Sequence, residues 1–147
     1  MVVNGWKLYL YRTFDTQLKE LEDEVEVITA KSSDEEGAHR KAKFLAAIRQ
    51  LILTAIPRNP NAAEFRQGNT LGPEHRHWFR AKFHQRYRLF FRFSSQHKII
   101  VYVWMNDESA LRKAGSKTAP YTVFRGMLES GNPPGSMEEL VRRSREL

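Results

Sequence analysis

The chain has 147 residues, which suits one domain with a real core and is too short for two independent ones. Its 24 Lys and Arg against 17 Asp and Glu give a formal charge of +7 and a pI near 9.9; that balance favours a polyanionic partner such as RNA, DNA or an acidic protein, and an ordinary basic domain shares it. There is no Cys, so disulfides and thiolate metal sites are excluded; no stretch approaches the ~18 apolar residues of a membrane span, and a cytoplasmic protein is expected.

"WKLYLY" (6–11) is short and aromatic and reads as the first strand. Thr13 is then placed to cap a helix whose apolar positions Phe14, Leu18, Leu21, Val25 and Ile28 recur at helical spacing, which sends Lys19, Glu20, Glu22, Asp23 and Glu26 to solvent. "SSDE" around Ser33 to Glu36 resembles a capping box and opens a second helix that runs to about Ile56, where Pro57 stops it. Its first half, "HRKAK", is cationic and its second is apolar on more than one side, so the later turns should be the more buried. The two helices most simply form an αα-hairpin.

Residues 57–76 carry three Pro and two Gly without a period, a long loop for a compact domain and so a functional or partner-binding excursion. Two strands follow, and then "KIIVYVW" (98–104), whose unbroken apolar run suits a central strand covered on both sides. "APYTVFRGMLES" (119–130) reads as a short helix stopped by Gly131, and residues 132–147 as a short tail in which "SMEEL" can start one more helical turn. The expected order is β-α-α-β-β-β-α, an α+β fold with two N-terminal helices packed on a small antiparallel-rich sheet.

The stretch "HRHWFRAKFHQRYRLFFRF" (75–93) holds six Lys or Arg, three His and seven aromatics. A hairpin loop of His84, Gln85 and Arg86 pairs Phe83 with Tyr87, Ala81 with Leu89 and Phe79 with Phe91. These form one apolar face, and the opposite face carries Trp78, Arg80, Lys82, Arg88, Phe90 and Arg92. A two-residue loop would instead bury Arg86 and Arg88 on the core side, at several kcal/mol each if unpaired. The longer loop asks for a residue tolerant of positive φ, for which Arg86 is poorly suited. On the cationic face, Arg side chains beside Trp78 and Phe90 offer phosphate contacts next to stacking planes, the combination that holds single-stranded RNA or DNA; a solvated face of salt bridges is the alternative.

"FRQGNTLG", "HRHWFRAKF", "QRYRLFFRF", "KIIVYVWMNDE" and "YTVFRGMLESGNPP" resemble the YhaV family of bacterial toxins, a branch of the RelE/ParE-like ribonuclease toxins, and the likeness runs from "VNGWKLY" to "ESGNPP". It implies a single RelE-like domain over residues 1–147 and the toxin of a type II toxin–antitoxin pair, one that cleaves mRNA at or with the ribosome and needs no metal or other cofactor. Its implied partner is a PrlF-like antitoxin of the swapped-hairpin DNA-binding type, the complex repressing its own operon through operator DNA. By position, the basic pair of the second RelE-like strand falls on Arg80 and Lys82, the Tyr-Arg of the third on Tyr87 and Arg88, and the C-terminal Tyr on Tyr121. Where RelE-like ribonucleases place a further Arg after the last strand, this chain has Asn106, Asp107 and Glu108.

Such cleavage needs a base for the ribose 2′-OH, cations for the phosphorane and an acid for the leaving oxygen. Arg88 is expected to stabilise the phosphorane and Arg80 to position the neighbouring phosphate. Lys82, between arginines whose like charge disfavours its protonated form, is the candidate base, and His77 is the other candidate for acid or base, although its parity puts it on the apolar side. Tyr121 is a candidate to stack on or hydrogen-bond to the substrate. Arg66, Trp78, Arg86, Phe90 and Arg92 are expected to bind RNA. The competing readings are a non-catalytic RNA-binding sheet and a ParE-like toxin that blocks a protein target.

Overall fold

The computed structural model describes residues 1–31, 35–106 and 119–147, which build an α+β fold on one mixed sheet. The elements are β1 (Val2–Val3), β2 (Trp6–Tyr11), α1 (Arg12–Lys31), α2 (Glu35–Gln50), β3 (Phe79–Phe83), β4 (Tyr87–Ser94), β5 (Ile99–Met105), α3 (Ala119–Ser130), α4 (Met137–Arg142) and β6 (Ser144–Glu146). The sheet runs β1-β2-β5-β4-β3, with β6 also on β2. Only β2 with β5 is parallel among these pairs, and the chain between them holds both α1 and α2 and the β3–β4 hairpin.

Helices α1 and α2 cover one face. The α1 stripe buries Phe14, Leu18 and Leu21, each worth about 1.5–3 kcal/mol when withdrawn from water, against Leu8, Leu10, Ala81, Leu89, Phe91, Ile100 and Tyr102 of the sheet. Ion pairs Lys41–Glu24 (2.6 Å) and Arg49–Glu22 (3.3 Å) join the two helices on their wet side. α1 begins directly at Arg12, so Thr13 lies inside its first turn and is not the expected cap. Ser33 and Asp34 of the capping box lie outside the described residues.

Pro57 does not stop the second helix. After Gln50 the chain makes a π-turn over Leu51–Ala55 and a last α-turn over Ile56–Arg58, with Pro57 buried inside it. The Ile56 N–H bonds back to the Leu51 carbonyl, and the residue after it in register, Pro57, has no N–H for the carbonyl of Ile52. The buried Tyr102 hydroxyl donates to that carbonyl at 2.6 Å, which satisfies both groups.

The opposite face is also a core, as the unbroken apolar run of β5 led one to expect, but it extends over Trp78 and Phe90 of the hairpin, which were expected to lie open. Tyr121 and Phe124 of α3 and Leu140 of α4 cover Tyr11, Trp78, Phe90, Val101, Val103 and Trp104. Gly131, at φ 84°, ends α3: its N–H reaches the Leu128 carbonyl and that of Asn132 reaches Met127. Residues 132–147 are more than a tail. Ser136 caps α4 by accepting the Glu139 N–H at 3.1 Å, and β6 then pairs with Tyr9, Leu10 and Tyr11. At the other end, Asn4 (φ 51°) and Gly5 (φ 83°) make the turn of a short β1–β2 hairpin that precedes the expected first strand.

The hairpin register is as read from alternation: Phe79 with Phe91, Ala81 with Leu89, Phe83 with Tyr87, around a loop of His84, Gln85 and Arg86. Positive φ is taken by His84 (45°) and Gln85 (63°) and not by Arg86. The long loop 57–76 is ordered by Gln67, whose Nε2 donates to the His75 carbonyl (2.8 Å) while Oε1 accepts from Thr70 Oγ1 (2.6 Å) and the Leu71 N–H (3.2 Å). No described helix is long and apolar enough to cross a membrane.

Candidate active site

Strands β3 and β4 bring Arg80 and Arg88 to the same face, and the first turn of α3 brings Tyr121 down onto them. Arg80 Nε donates to Tyr121 Oη at 2.8 Å and Arg88 Nε to the same oxygen at 3.3 Å. Arg80 Nη1 reaches the Glu64 carbonyl (2.9 Å), and Arg88 Nη1 the carbonyls of Gln85 and Tyr87 (both 2.9 Å). All three residues are buried, with 8%, 8% and 7% of their surface exposed. Among the described residues neither guanidinium has a carboxylate partner, and Nη2 of each has no acceptor.

Two cations held largely out of water, with no counter-charge among the described residues, favour the arrival of an anion. Lys82 sharpens the imbalance, because it stands directly opposite Arg88 across the hairpin, where like charges repel. It is exposed and makes no hydrogen bond or ion pair with the described residues. With its two lone pairs turned to arginines, the Tyr121 hydroxyl has its proton left to donate elsewhere. The arrangement can therefore grip an anionic, tetrahedral or trigonal-bipyramidal centre and give it a proton.

Of five other expected contacts, Trp78, Phe90 and Arg92 are engaged within the fold, and Arg66 and Arg86 are exposed as expected. Trp78 (1% exposed) and Phe90 (0%) are core residues and present no stacking plane: Phe124 lies parallel to Phe90 at 4.3 Å between ring centres and edge-on to Trp78 at 5.0 Å. This removes the feature on which a base-stacking sheet would rest. Arg92 lies over the Trp78 ring at 5.3 Å and donates to the Gly135 carbonyl at 2.7 Å, and burial pulls its guanidinium below the ordinary Arg value. It holds β4 to the segment after α3. Arg66 is exposed, bonded to Asn61 at 3.4 Å, with its backbone bridged to Phe79. Arg86 is exposed at the hairpin tip.

His77 lies in the turn before β3, not on the apolar face. Its exposed ring neighbours His75 and Trp78, and its basicity is lowered chiefly by desolvation and then by the charges of Arg92 and His75. At ~3.3 Å per strand residue, Lys82 lies about 10 Å along β3 from Phe79, and His77 precedes Phe79 by two residues. His77 is not part of the Arg80–Arg88–Tyr121 cluster.

The residue that sequence reading undervalued is Asn106, treated there only as the absence of an arginine. It is 1% exposed, accepts the Arg88 N–H at 2.7 Å and donates to the Arg86 carbonyl at 3.1 Å. Asp107 and Glu108 lie outside the described residues. Among the described residues no three His, Asp or Glu side chains are grouped to hold a metal ion.

Residues 8–145 match a family described as toxins with endonuclease activity, of toxin–antitoxin systems. The ribonuclease toxin YhaV of Escherichia coli strain K12 is 45% identical over 148 aligned positions, which cover 98% of this chain and 95% of that protein. The toxins YhaV of E. coli O157:H7 and O6:H1 are 45% and 44% identical over the same shares. With a likeness of this strength across nearly its whole length, the chain belongs to the YhaV family, toxins with endonuclease activity that form part of toxin–antitoxin systems.

Proposed function

We propose that this toxin is a metal-independent endoribonuclease that cuts mRNA at or with the ribosome, and that Arg80, Lys82, Arg88 and Tyr121 form its active site. One observation carries this reading: two buried guanidiniums without a described carboxylate converge on a single hydroxyl. A phosphodiester supplies the missing anion. Arg88 and Arg80 take its non-bridging oxygens through Nη2 groups that have no acceptor among the described residues, and their charge grows in value as the phosphorane forms. Lys82 is the group that takes the proton of the ribose 2′-OH. The 2′-oxygen bonds to phosphorus, the bond to the 5′-oxygen breaks, and Tyr121 protonates that oxygen. The products are a 2′,3′-cyclic phosphate and a 5′-OH, and proton return from Lys82 to Tyr121 resets the site.

The fold is read as one RelE-like domain over residues 1–147, on the strength of two helices against one face of a small sheet. Membership of a toxin–antitoxin family supports an antitoxin partner, and the resemblance noted from sequence supports a PrlF-like one that represses the operon with the toxin in the cytoplasm. A bound antitoxin segment would act by occluding the cationic rim of Lys82 and Arg86. Arg88→Ala is the test: RNA cleavage and growth inhibition are lost while the protein remains folded, and full cleavage by a folded Arg88→Ala protein discards the site. Mapping 5′-OH ends with and without ribosomes distinguishes direct cleavage from a ribosome-dependent one.

A further inference from the structure

We infer that Asn106 is a positioning residue for cleavage, one that sets the aim of the Arg88 guanidinium by clamping the hairpin loop to the end of β5. The inference rests on the active site proposed above.

The β4–β5 ladder ends at the pair Leu89–Met105, so the Arg88 N–H, one residue further, has no strand partner. The Asn106 side chain takes that place. Its Oδ1 accepts the Arg88 N–H (2.7 Å) and its Nδ2 donates to the Arg86 carbonyl (3.1 Å), so one buried amide holds the chain on both sides of Tyr87. The loop it clamps needs outside support, because His84 and Gln85 both sit at positive φ, a region that side chains disfavour. The same loop and the first residue of β4 supply the Gln85 and Tyr87 carbonyls that hold Arg88 Nη1 and leave its Nε facing Tyr121. The path from Asn106 to the reacting atoms is therefore short: amide, loop backbone, guanidinium.

Only an amide fits. The site presents an N–H and a C=O to one side chain, so it asks for an acceptor and a donor together. An aspartate would keep the first bond, turn a second oxygen toward the Arg86 carbonyl, and place a negative charge near Arg88 that competes with Tyr121 for the guanidinium. A shift of about 1 Å in a positioned group can lower a rate by ~100-fold without a matching loss of binding.

The experiment uses the full chain in Asn106→Ala, Asn106→Asp, Arg88→Ala and Ile48→Val forms, the last a core substitution in α2 that leaves the Asn106 bonds in place. It reads single-turnover cleavage of an mRNA, affinity for the same RNA with 2′-O-methyl riboses, and the NMR signal of the Arg88 Nε–H without RNA. The inference expects both Asn106 variants to cleave at least tenfold more slowly, to bind within about threefold of the parent, and to shift the Arg88 Nε–H signal, while Ile48→Val does none of these. Cleavage within twofold of the parent in a folded Asn106→Ala protein, with Arg88→Ala inactive, overturns the role of Asn106 and leaves the site standing. Slow cleavage with an unmoved Arg88 signal, or failure of both variants to fold, makes Asn106 purely structural and overturns it too. An active Arg88→Ala protein removes the site first, and with it the inference.

Discussion

Tyr121→Phe removes one oxygen and leaves the ring in place against Phe90, where the two meet edge to face at 5.7 Å. The lost oxygen accepts a 2.8 Å bond from Arg80 and a longer 3.3 Å bond from Arg88. A hydrogen bond to a charged donor is worth about 1.5–3 kcal/mol, and the longer one less. Because the arginines retain a little exposure, water can recover part of that, and a net loss of about 2 kcal/mol follows. For a protein of this size that lowers the Tm by roughly 4–8 °C. Calorimetry with and without 50 mM sulfate is the assay. Sulfate should raise the Tm of Tyr121→Phe more than that of the parent, since both Nε groups are then open to an anion. Equal Tm values without sulfate and equal responses to it would show that the hydroxyl is not the hub of the two arginines, and the proposed proton donor would go with it.

Lys82→Met is expected to slow RNA cleavage at least ~100-fold, and His77→Ala to change it by less than about threefold, since only Lys82 shares a register with Arg88; single-turnover rates decide, and the opposite ranking moves the base to His77. Phe124→Ala empties the centre of the second core, between Phe90, Trp78 and Trp104, and should reduce stability by about 3–5 kcal/mol in urea titrations followed by tryptophan fluorescence. A loss below ~1 kcal/mol would mean that α3 is not seated on the sheet. Burial holds the Tyr102 hydroxyl protonated well above its ordinary value of 10.0, so the unfolded chain gives up that proton first. Its contribution is therefore full below pH 10 and declines as the pH rises beyond it, by at most ~1.4 kcal/mol per pH unit. Tyr102→Phe should cost about 1–2 kcal/mol at pH 7, by loss of the bond to the Ile52 carbonyl, and should flatten that alkaline decline; an unchanged slope would assign it to other groups.

Much of this protein was determined by local pattern. The α1 stripe of Phe14, Leu18 and Leu21 could bury itself in only one way, and the alternation of residues 79–93 admitted only an odd hairpin loop, because a one-residue slip would have sent Arg86 and Arg88 into the core. That register, read from the chain alone, already put Arg80, Lys82 and Arg88 on one face. The same parity was misleading for Trp78 and Phe90, which share the face and yet lie in a core.

What covers a face is not written in the strand that forms it. Only the folded chain seats Phe124 over Phe90 and Trp104, and only then does Tyr121, 33 positions away from Arg88, become the common acceptor of two guanidiniums. Asn106 shows the same division. In the sequence it was a missing arginine; at the end of β5 it is the amide that completes a ladder and holds a strained loop. Periodicity reports which side of an element a residue occupies, because that depends on a few consecutive dihedrals. Which distant groups then meet depends on how whole elements pack, and that belongs to the tertiary structure.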